Sequence, residues 1–260
     1  MLPYITLLSI DIQTYYIMAT VAGLSGFLLA IKLLKDEKMG IWRWTLPILV
    51  VFIALAGARV LNFILNPSAY GKDFPIWSIS YRNLSIMGGL ITGTLTIIIY
   101  SVVNKKDFWS IMDKLILPAG VVIMLLKTGC FLNGCCYGKP TKSIFGVVLE
   151  DNKALIDYME QFFYEGTFIR TVHPTQIYEI FGAGIGLLIV FTIMKKRKLP
   201  KGSGALIYAI WYTSVRLFIH PMRALPYRKV VVSGFYPMFY IIIIVSLFTI
   251  LIGRCQYTLD

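Results

Sequence analysis

Charged residues are scarce in this chain. They make up 15% of its 260 residues, while hydrophobic residues make up 57%. Soluble domains usually contain only about 45–50% apolar residues. Here, apolar runs long enough to cross about 30 Å of hydrocarbon recur along nearly the whole sequence. The composition excludes an ordinary soluble fold and predicts an all-α integral membrane protein.

Acidic residues are fewer than basic ones, 13 against 25, which gives a net charge of +12. An excess of this size can indicate nucleic-acid binding. In this chain the basic residues gather in the loops between the apolar runs, where the positive-inside rule and anionic lipids account for them. We therefore expect these basic residues to interact with the membrane and not with nucleic acid.

Cysteine is also scarce, and its distribution limits what it can do. Three of the four cysteines are Cys130, Cys135 and Cys136, and the fourth is Cys255 near the C-terminus. This clustering excludes a disulfide framework spread over the chain. A Cys-Cys pair also lacks the paired C-x-x-C spacing of a zinc knuckle. The sequence therefore predicts no metal site, and it predicts no cofactor.

Seven spans are expected, with the N-terminus outside and the C-terminus inside. This orientation puts dense basic clusters such as KKRK at 195–198 in the cytoplasm. The predicted spans cover residues 15–34, 45–65, 84–103, 115–132, 174–194, 204–220 and 231–252.

The longest segment between spans, 133–172, is expected to form a small extracytoplasmic head. Within it, residues 154–164 are predicted to form a short amphipathic surface helix, which either caps a cavity or belongs to a plain connector. No signal peptide, internal repeat or second soluble domain is recognisable. Residues 1–260 are therefore expected to form a single polytopic membrane domain.

Ionisable side chains at membrane depth are costly and therefore informative. Those within the predicted spans or at their ends are Arg59, Lys127, His173, Glu179, Arg216, His220 and Arg223. The predicted topology puts all of them in the outward half. Glu179 is the only carboxylate, so the four fixed cations cannot all be neutralised in internal pairs. An anionic ligand is indicated, and arginine forks favour a phospholipid head group. The alternative for Arg59, Lys127 and Arg223 is that each extends to the interface.

The segment HPTQIYE at 173–179 opens the fifth span. Pro174 suits the first turn of a helix. Gln176 and Glu179, three residues apart, share one helical face and are expected to point into one cavity. His173 is either a proton carrier or an interface residue.

The segment LLKTGCFLNGCCYGKPT at 125–141 combines a cation, an amide and three thiols with a glycine-rich chain break. Backbone N–H groups at such a break can bind an anion. A cysteine near Lys127 would be a nucleophile if its pKa were lowered. The alternative is that the cysteines are buried as small apolar residues.

Five motifs, in matching order, resemble the prolipoprotein diacylglyceryl transferase family of bacterial membrane enzymes. GARV at 57–60 is similar to the family's Gly-Gly-Arg element, and MGGLITG at 87–93 to its His-Gly-Gly-Leu-Ile-Gly. KTGCFLNGCCYGKPT at 127–141 resembles Gly-Arg-x-x-Asn-Phe-x-Asn-Gly-Glu-x-x-Gly-Arg-Pro-Thr. HPTQIYE at 173–179 resembles His-Pro-Ser-Gln-Leu-Tyr-Glu, and RLFIHPMR at 216–223 resembles Arg-Phe-x-x-Glu-x-x-Arg.

The chain departs from the family pattern at polar positions. Met87 stands where the family has histidine, and Lys127 stands where it has the signature arginine. Cys130 replaces an asparagine, Cys135 a glutamate, and His220 an acidic residue. The residues that shape the backbone of these motifs therefore match the family better than the polar residues do.

The resemblance implies a donor that is phosphatidylglycerol or another anionic phospholipid. It implies an acceptor that is the lipobox cysteine of a secreted lipoprotein precursor. The acceptor thiolate would attack the glyceryl carbon bonded to phosphate, expel glycerol phosphate and form a thioether. The resemblance also implies a multi-pass protein of the bacterial cytoplasmic membrane with its active site toward the outer leaflet.

The candidate catalytic residues are His173, Arg216, Lys127, His220, Glu179, Cys135 and Cys136. The candidate substrate-binding residues are Arg59, Asn133, Gly134, Gly88, Gly89, Gln176 and Arg223. Two other hypotheses stay open at this point. One is a phospholipid-dependent transferase with a different acceptor, in which Cys135 or Cys136 carries a covalent intermediate. The other is a non-catalytic lipid-binding membrane protein.

Overall fold

A computed structural model describes residues 4–7, 10–71, 75–78, 84–148, 171–225 and 230–256. Seven long helices dominate it. They are α1 Thr14–Leu33, α2 Trp42–Leu65, α3 Ile86–Val103, α4 Phe108–Leu132, α5 Thr175–Lys196, α6 Ser203–Ile219 and α7 Tyr236–Gln256. Two antiparallel pairs of short strands accompany them, β1 Tyr4–Leu7 with β2 Ile10–Gln13, and β3 Val147–Val148 with β4 Thr171–Val172. The predicted surface helix at 154–164 lies outside the described residues.

Six helical segments of the described chain are long and apolar enough to cross a membrane. They are Thr14–Glu37, Trp42–Leu65, Ile86–Val103, Phe108–Leu132, Thr175–Lys196 and Val231–Gln256. Helix α6 has 17 residues, slightly fewer than the roughly 20 that a membrane helix usually needs. A helix stands at each of the seven predicted spans, so the all-α membrane fold is confirmed. The number of crossings and their orientation stay predictions.

Large apolar side chains remain exposed along the helices. Leu28 is 64% exposed, Phe52 68%, Ile99 62% and Phe191 69%. Soluble proteins rarely leave extensive apolar surface uncovered, whereas hydrocarbon chains cover such surface without cost. This exposure agrees with a helical bundle whose outer surface faces lipid.

Helix α4 begins seven residues before the predicted span, at Phe108 rather than at residue 115. The reason is an N-cap that the hydropathy pattern did not predict. Asp107 Oδ1 accepts hydrogen bonds from the backbone N–H groups of Trp109 at 3.0 Å and Ser110 at 3.3 Å. These bonds satisfy donors that the first helical turn leaves unpaired.

Charged residues in the first turns of α4 are satisfied by neighbouring elements. Asp113 accepts hydrogen bonds from the backbone N–H groups of Gly202 at 2.6 Å and Ala205 at 2.9 Å, so it caps the start of α6. Lys114 Nζ lies 2.9 Å from Glu37 Oε1. The charges therefore tie helix ends together instead of ending α4.

Close antiparallel contacts join α2 to α3 and α5 to α6. A Cβ atom at Gly88 would overlap the carbonyl oxygen of Gly57, and one at Gly182 would overlap Val215. The Trp211 indole donates a hydrogen bond to the Gly182 carbonyl at 2.8 Å. Small residues allow this approach between membrane helices. Helix α4 contacts α1, α5 and α6, so the end of α4, the start of α5 and the end of α6 meet at one end of the bundle.

Candidate active site

Glu179 is the centre of a buried polar cluster formed by three helices. Its Oε1 atom accepts a hydrogen bond from Nη1 of Arg216 at 2.7 Å, and its Oε2 atom lies 2.9 Å from Nζ of Lys127. The Tyr212 hydroxyl donates to the same Oε2 at 3.1 Å. The Glu179 side chain is 1% exposed and the side chains of Arg216 and Lys127 are 6% and 13% exposed. Two cations against one carboxylate leave this cluster with a net positive charge.

This pairing gives two of the predicted site cations a partner within the protein. The sequence predicts that Lys127 and Arg216 hold an anionic phospholipid. Both side chains contact Glu179, and the lipid contact stays a prediction. Arg216 still has donor capacity, because its buried Nε atom has no hydrogen-bond partner among the described residues. The guanidinium is therefore oriented through Nη1, and its Nε–H is the donor without a partner in the described part of the chain.

Helix α4 ends in a Schellman motif. Gly134 has a left-handed backbone, with φ of 73°. Its N–H bonds to the Phe131 carbonyl at 3.3 Å, and the N–H of Cys135 bonds to the Cys130 carbonyl at 3.0 Å. This pattern brings the second residue after the helix end back against the last turn. Asn133 is the C-cap residue, so Asn133 and Gly134 shape this turn, and their part in substrate binding stays a prediction.

The turn after α4 is bonded to the start of α5. Gln176 Nε2 donates to the carbonyl oxygen of Cys135, and Thr175 Oγ1 donates to that of Cys136 at 2.9 Å. Gln176 and Glu179 both face the end of α4, so they share one helical face; that they point into one cavity stays a prediction. The Oε1 atom of Gln176 is buried with no hydrogen-bond partner among the described residues.

Three thiols lie together beside this junction. The sulfur atoms of Cys130, Cys135 and Cys136 are all within 4.8 Å of one another, and none forms a disulfide. Hydrogen bonds from the other two thiols, together with the charges of Lys127 and Arg223, hold the pKa of Cys136 well below its usual value. For Cys135, the hydrogen bond with Cys130 lowers the pKa, but the bond with Cys136 and burial outweigh it and raise the pKa to about 12.

His220 follows the last residue of α6 and is buried. Its Nε2 atom lies 2.6 Å from the carbonyl oxygen of Val232. A carbonyl only accepts, so Nε2 carries the hydrogen, and a neutral ring has its lone pair on Nδ1. Nδ1 is buried with no hydrogen-bond partner among the described residues. The rings of Tyr236 and Tyr240 lie 5.9 and 5.8 Å from the imidazole and fix its position.

His173 lies in a layer of three paired segments over this end of the bundle. The N–H of Gly138 bonds to the His173 carbonyl at 2.8 Å, and the N–H of His173 bonds to the Lys139 carbonyl at 3.0 Å. The N–H of Lys139 bonds in turn to the Met222 carbonyl at 2.7 Å. The His173 ring, which is partly exposed, has Nδ1 3.4 Å from the Tyr178 hydroxyl. This layer brings His173 and the segment before Arg223 to the same end as Glu179.

Arg59 and the two glycines of α3 lie where α2 meets α3. Arg59 is buried, and its Nη2 atom donates to the Ser78 carbonyl at 3.3 Å. A Cβ at Gly89 would lie 3.2 Å from the Ala54 carbonyl, and one at Gly88 would overlap α2. Close helix packing explains why both positions are glycine. Their part in substrate binding, like that of Arg59, stays a prediction.

Tyr212, Tyr236 and Tyr240 contribute to the site and were not among the predicted residues. Tyr212 precedes Arg216 by four residues, so the two lie on one face of α6. That spacing could have revealed Tyr212 from the sequence. Tyr236 and Tyr240 reach His220 from another helix, which no local pattern indicates.

Comparison with known proteins identifies relatives with a consistent name. Residues 3–258 match the family described as prolipoprotein diacylglyceryl transferase. The phosphatidylglycerol–prolipoprotein diacylglyceryl transferase of Finegoldia magna is 28% identical over 228 residues, covering 84% of this chain and 82% of the relative. The protein of that name from Clostridioides difficile is 28% identical over 222 residues, covering 84% and 81%. The one from Bacillus licheniformis is 30% identical over 225 residues, covering 82% and 77%. Because the family match runs over almost the whole chain, this protein belongs to the prolipoprotein diacylglyceryl transferase family.

Proposed function

We propose that this chain transfers the diacylglyceryl group of phosphatidylglycerol, or of another anionic phospholipid, to the lipobox cysteine of a secreted lipoprotein precursor. The names of the relatives supply the donor and the class of acceptor. The observation in this chain that carries the proposal is the buried, positively charged cluster of Glu179, Arg216 and Lys127. A negatively charged head group would compensate its excess charge.

In this proposal Arg216 binds the phosphate that becomes the leaving group. Glu179 fixes one edge of the guanidinium through Nη1, and the buried Nε atom remains available as a donor. Negative charge grows on the phosphate oxygen as the carbon–oxygen bond breaks, so donors already in place stabilise the transition state. Lys127 and Arg223 add positive charge to the same region.

We assign the role of general base to His220. Glu179 is a poor candidate because two cations and a hydroxyl already occupy its oxygens. His220 has its Nε2 hydrogen bound to the Val232 carbonyl, which leaves the Nδ1 lone pair for a proton. His173, beside Tyr178 in the layer over the bundle, is assigned to substrate contact.

The reaction balances without another reactant. The acceptor thiol gives its proton to Nδ1 of His220, and its sulfur forms a bond to the glyceryl carbon that carries the phosphate. The carbon–oxygen bond breaks, its electron pair passes to the phosphate oxygen, and glycerol phosphate leaves. The histidine then returns its proton to the leaving group or to water.

The proposal assigns no covalent step to Cys135 or Cys136. A diacylglyceryl group on either sulfur would be a thioether, and a thiolate is a poor leaving group from an alkyl carbon. Such an adduct would not pass its lipid to an acceptor. We further propose that the protein acts in the bacterial cytoplasmic membrane with this site toward the outer leaflet, where secreted precursors emerge.

The test uses purified full-length protein with phosphatidylglycerol and a lipobox peptide, beside one of the named relatives as a positive control. Mass spectrometry should detect a peptide with one thioether-linked diacylglyceryl group. The Arg216→Lys variant should lose most of this product, because lysine cannot bind Glu179 and a phosphate in the same geometry. If the relative forms the product while this protein forms none, the proposal is wrong.

A further inference from the structure

The cluster of Cys130, Cys135 and Cys136 is not used by the proposed reaction. The three sulfur atoms lie within 4.8 Å of one another without a disulfide. Bonds of about 2.3 Å from sulfur to a shared metal ion put ligand sulfurs roughly 4 Å apart. The spacing of the three sulfurs therefore suits joint coordination of one ion, with little movement of the chain.

The end of α4 explains how residues with this sequence spacing meet. The Schellman bond from the Cys135 N–H to the Cys130 carbonyl places these two residues side by side. Cys136 then adopts a left-handed backbone with φ of 64°, which is uncommon for a residue other than glycine. The third thiolate ligand, Cys130, thus comes from α4 itself. The adjacent pair of Cys135 and Cys136 does not indicate this third ligand.

The surroundings favour an ion held by thiolates. Three thiolates around a monovalent or divalent cation carry net negative charge. Lys127 lies three residues before Cys130 on the same face of α4. Arg223 is paired through its backbone with Gly138, two residues after Cys136. Both cations are therefore placed to offset the charge of such a complex.

We propose that Cys130, Cys135 and Cys136 form a site for one thiophilic cation, Zn²⁺ or Cu⁺, bound by three thiolates. No histidine, carboxylate or further cysteine of the described chain joins the group. Three thiolates complete a trigonal Cu⁺ site, whereas Zn²⁺ would keep a fourth position open. Because the carbonyls of Cys135 and Cys136 bind Gln176 and Thr175, the ion would fix the end of α4 against the start of α5.

The experiment begins with full-length protein purified in detergent with reductant and without chelator. Elemental analysis should find about one zinc or copper per chain, which also distinguishes the two ions. After removal of the metal, titration with Cd²⁺ should produce thiolate-to-metal charge-transfer absorption that saturates at one equivalent. Alkylation should modify the exposed Cys136 and the half-buried Cys135 in the stripped protein and spare them in the loaded protein.

Single variants locate the site. Cys130→Ser, Cys135→Ser and Cys136→Ser should each lose most of the charge-transfer absorption, and Cys255→Ser should keep it. The alkylation comparison uses the unmodified protein, so it decides the question even if a serine variant fails to fold. Absence of bound ion together with equal alkylation of stripped and Cd²⁺-treated protein would overturn the proposal. A disulfide between two of the three cysteines in freshly isolated protein would also overturn it.

Discussion

The Tyr212 hydroxyl donates a hydrogen bond to Oε2 of Glu179 at 3.1 Å. The acceptor is a buried carboxylate that also holds Arg216 and Lys127. Tyr212 therefore helps to orient the charged cluster without carrying charge itself. Tyr208, one turn earlier, stacks on Tyr212 at 6.2 Å, and its buried hydroxyl has no hydrogen-bond partner among the described residues.

These two tyrosines give a matched pair of variants. Tyr212→Phe should lower the free energy of unfolding by about 1.5–3 kcal/mol, the usual value for a hydrogen bond to a charged group. Tyr208→Phe removes a hydroxyl without a described partner and should leave stability almost unchanged. Thermal unfolding in detergent measures both variants. Equal losses in the two would contradict the assigned hydrogen bond.

Glu179→Gln should be the most damaging conservative change in the cluster. It removes the only negative charge and leaves the side chains of Arg216 and Lys127 buried without their partner. Removing one member of a buried pair costs about 3–5 kcal/mol. We expect a clearly lower unfolding temperature and loss of transferase activity.

Glu37→Gln is the control for that variant, because Glu37 also pairs with a lysine but lies at the other end of α4. It should retain activity. If Glu179→Gln were as stable and as active as Glu37→Gln, the central role of Glu179 would be refuted.

His220→Gln should lower the rate of thioether formation by roughly 10²–10⁴-fold, the range that general-base catalysis supplies. Lipid binding should change little, because the glutamine can still donate a hydrogen bond to the Val232 carbonyl. His220→Glu supplies a carboxylate base at the same place and should recover part of the rate. Single-turnover assays at saturating lipid separate the chemical step from binding.

His173→Gln provides the contrast in those assays. We expect it to weaken substrate binding more than the chemical step. Should His173→Gln lose the chemical step while His220→Gln retains it, the two histidines have been assigned the wrong way round.

Gly138→Ala tests the layer of paired segments over the bundle. A Cβ at this position would lie 2.7 Å from Cβ of His173 and would overlap the Met222 carbonyl. The segments must separate to admit it, and overpacking of this kind costs about 1–3 kcal/mol. We expect reduced stability and lower activity. Gly253→Ala, with no atom within 4 Å of its added Cβ, should behave like the unmodified protein.

Asp107 provides a prediction on pH. Burial would raise the pKa of Asp107, but the Lys201 ammonium and the N–H groups of Ser110 and Trp109 outweigh burial and hold the pKa below its usual value. A lowered pKa in the folded state means that the charge stabilises the protein above the unfolded-state pKa. That contribution disappears as the pH falls through the folded-state pKa.

Asp107→Asn keeps an N-cap acceptor but removes the charge. The variant should be less stable than the unmodified protein at neutral pH, by no more than about 1 kcal/mol because the Lys201 pair is largely exposed. The difference should vanish in strong acid. Unfolding measured across pH would contradict this account if the gap widened as the pH fell.

The helices could be predicted from the sequence because each long apolar run by itself indicates a helix in lipid. The helix ends were harder to predict where a helix continues through a charged residue. Asp113 lies within α4 and is tolerated there because it caps the start of α6. The β1–β2 pairing was missed because neither short strand has a strong signal of its own. Among the site residues, their common end of the bundle was predictable from the alternation of spans.

The contacts within the site were less predictable. That Glu179 holds both Arg216 and Lys127 depends on how three helices are rotated against one another, and no local pattern contains that information. The meeting of the three thiols was hidden for a different reason. It arises from two left-handed residues after α4, Gly134 and Cys136, and the paired spacing typical of metal sites is missing.

The cluster at Glu179 also has an order of assembly. The chain is synthesised from Lys127 toward Arg216, so Lys127 is made before either of the other two members. An unpaired cation at that depth is costly, and its cost falls only when α5 delivers the carboxylate. Arg216 arrives last and finds Glu179 already present. The cluster is therefore complete only when α6 has packed against α4 and α5.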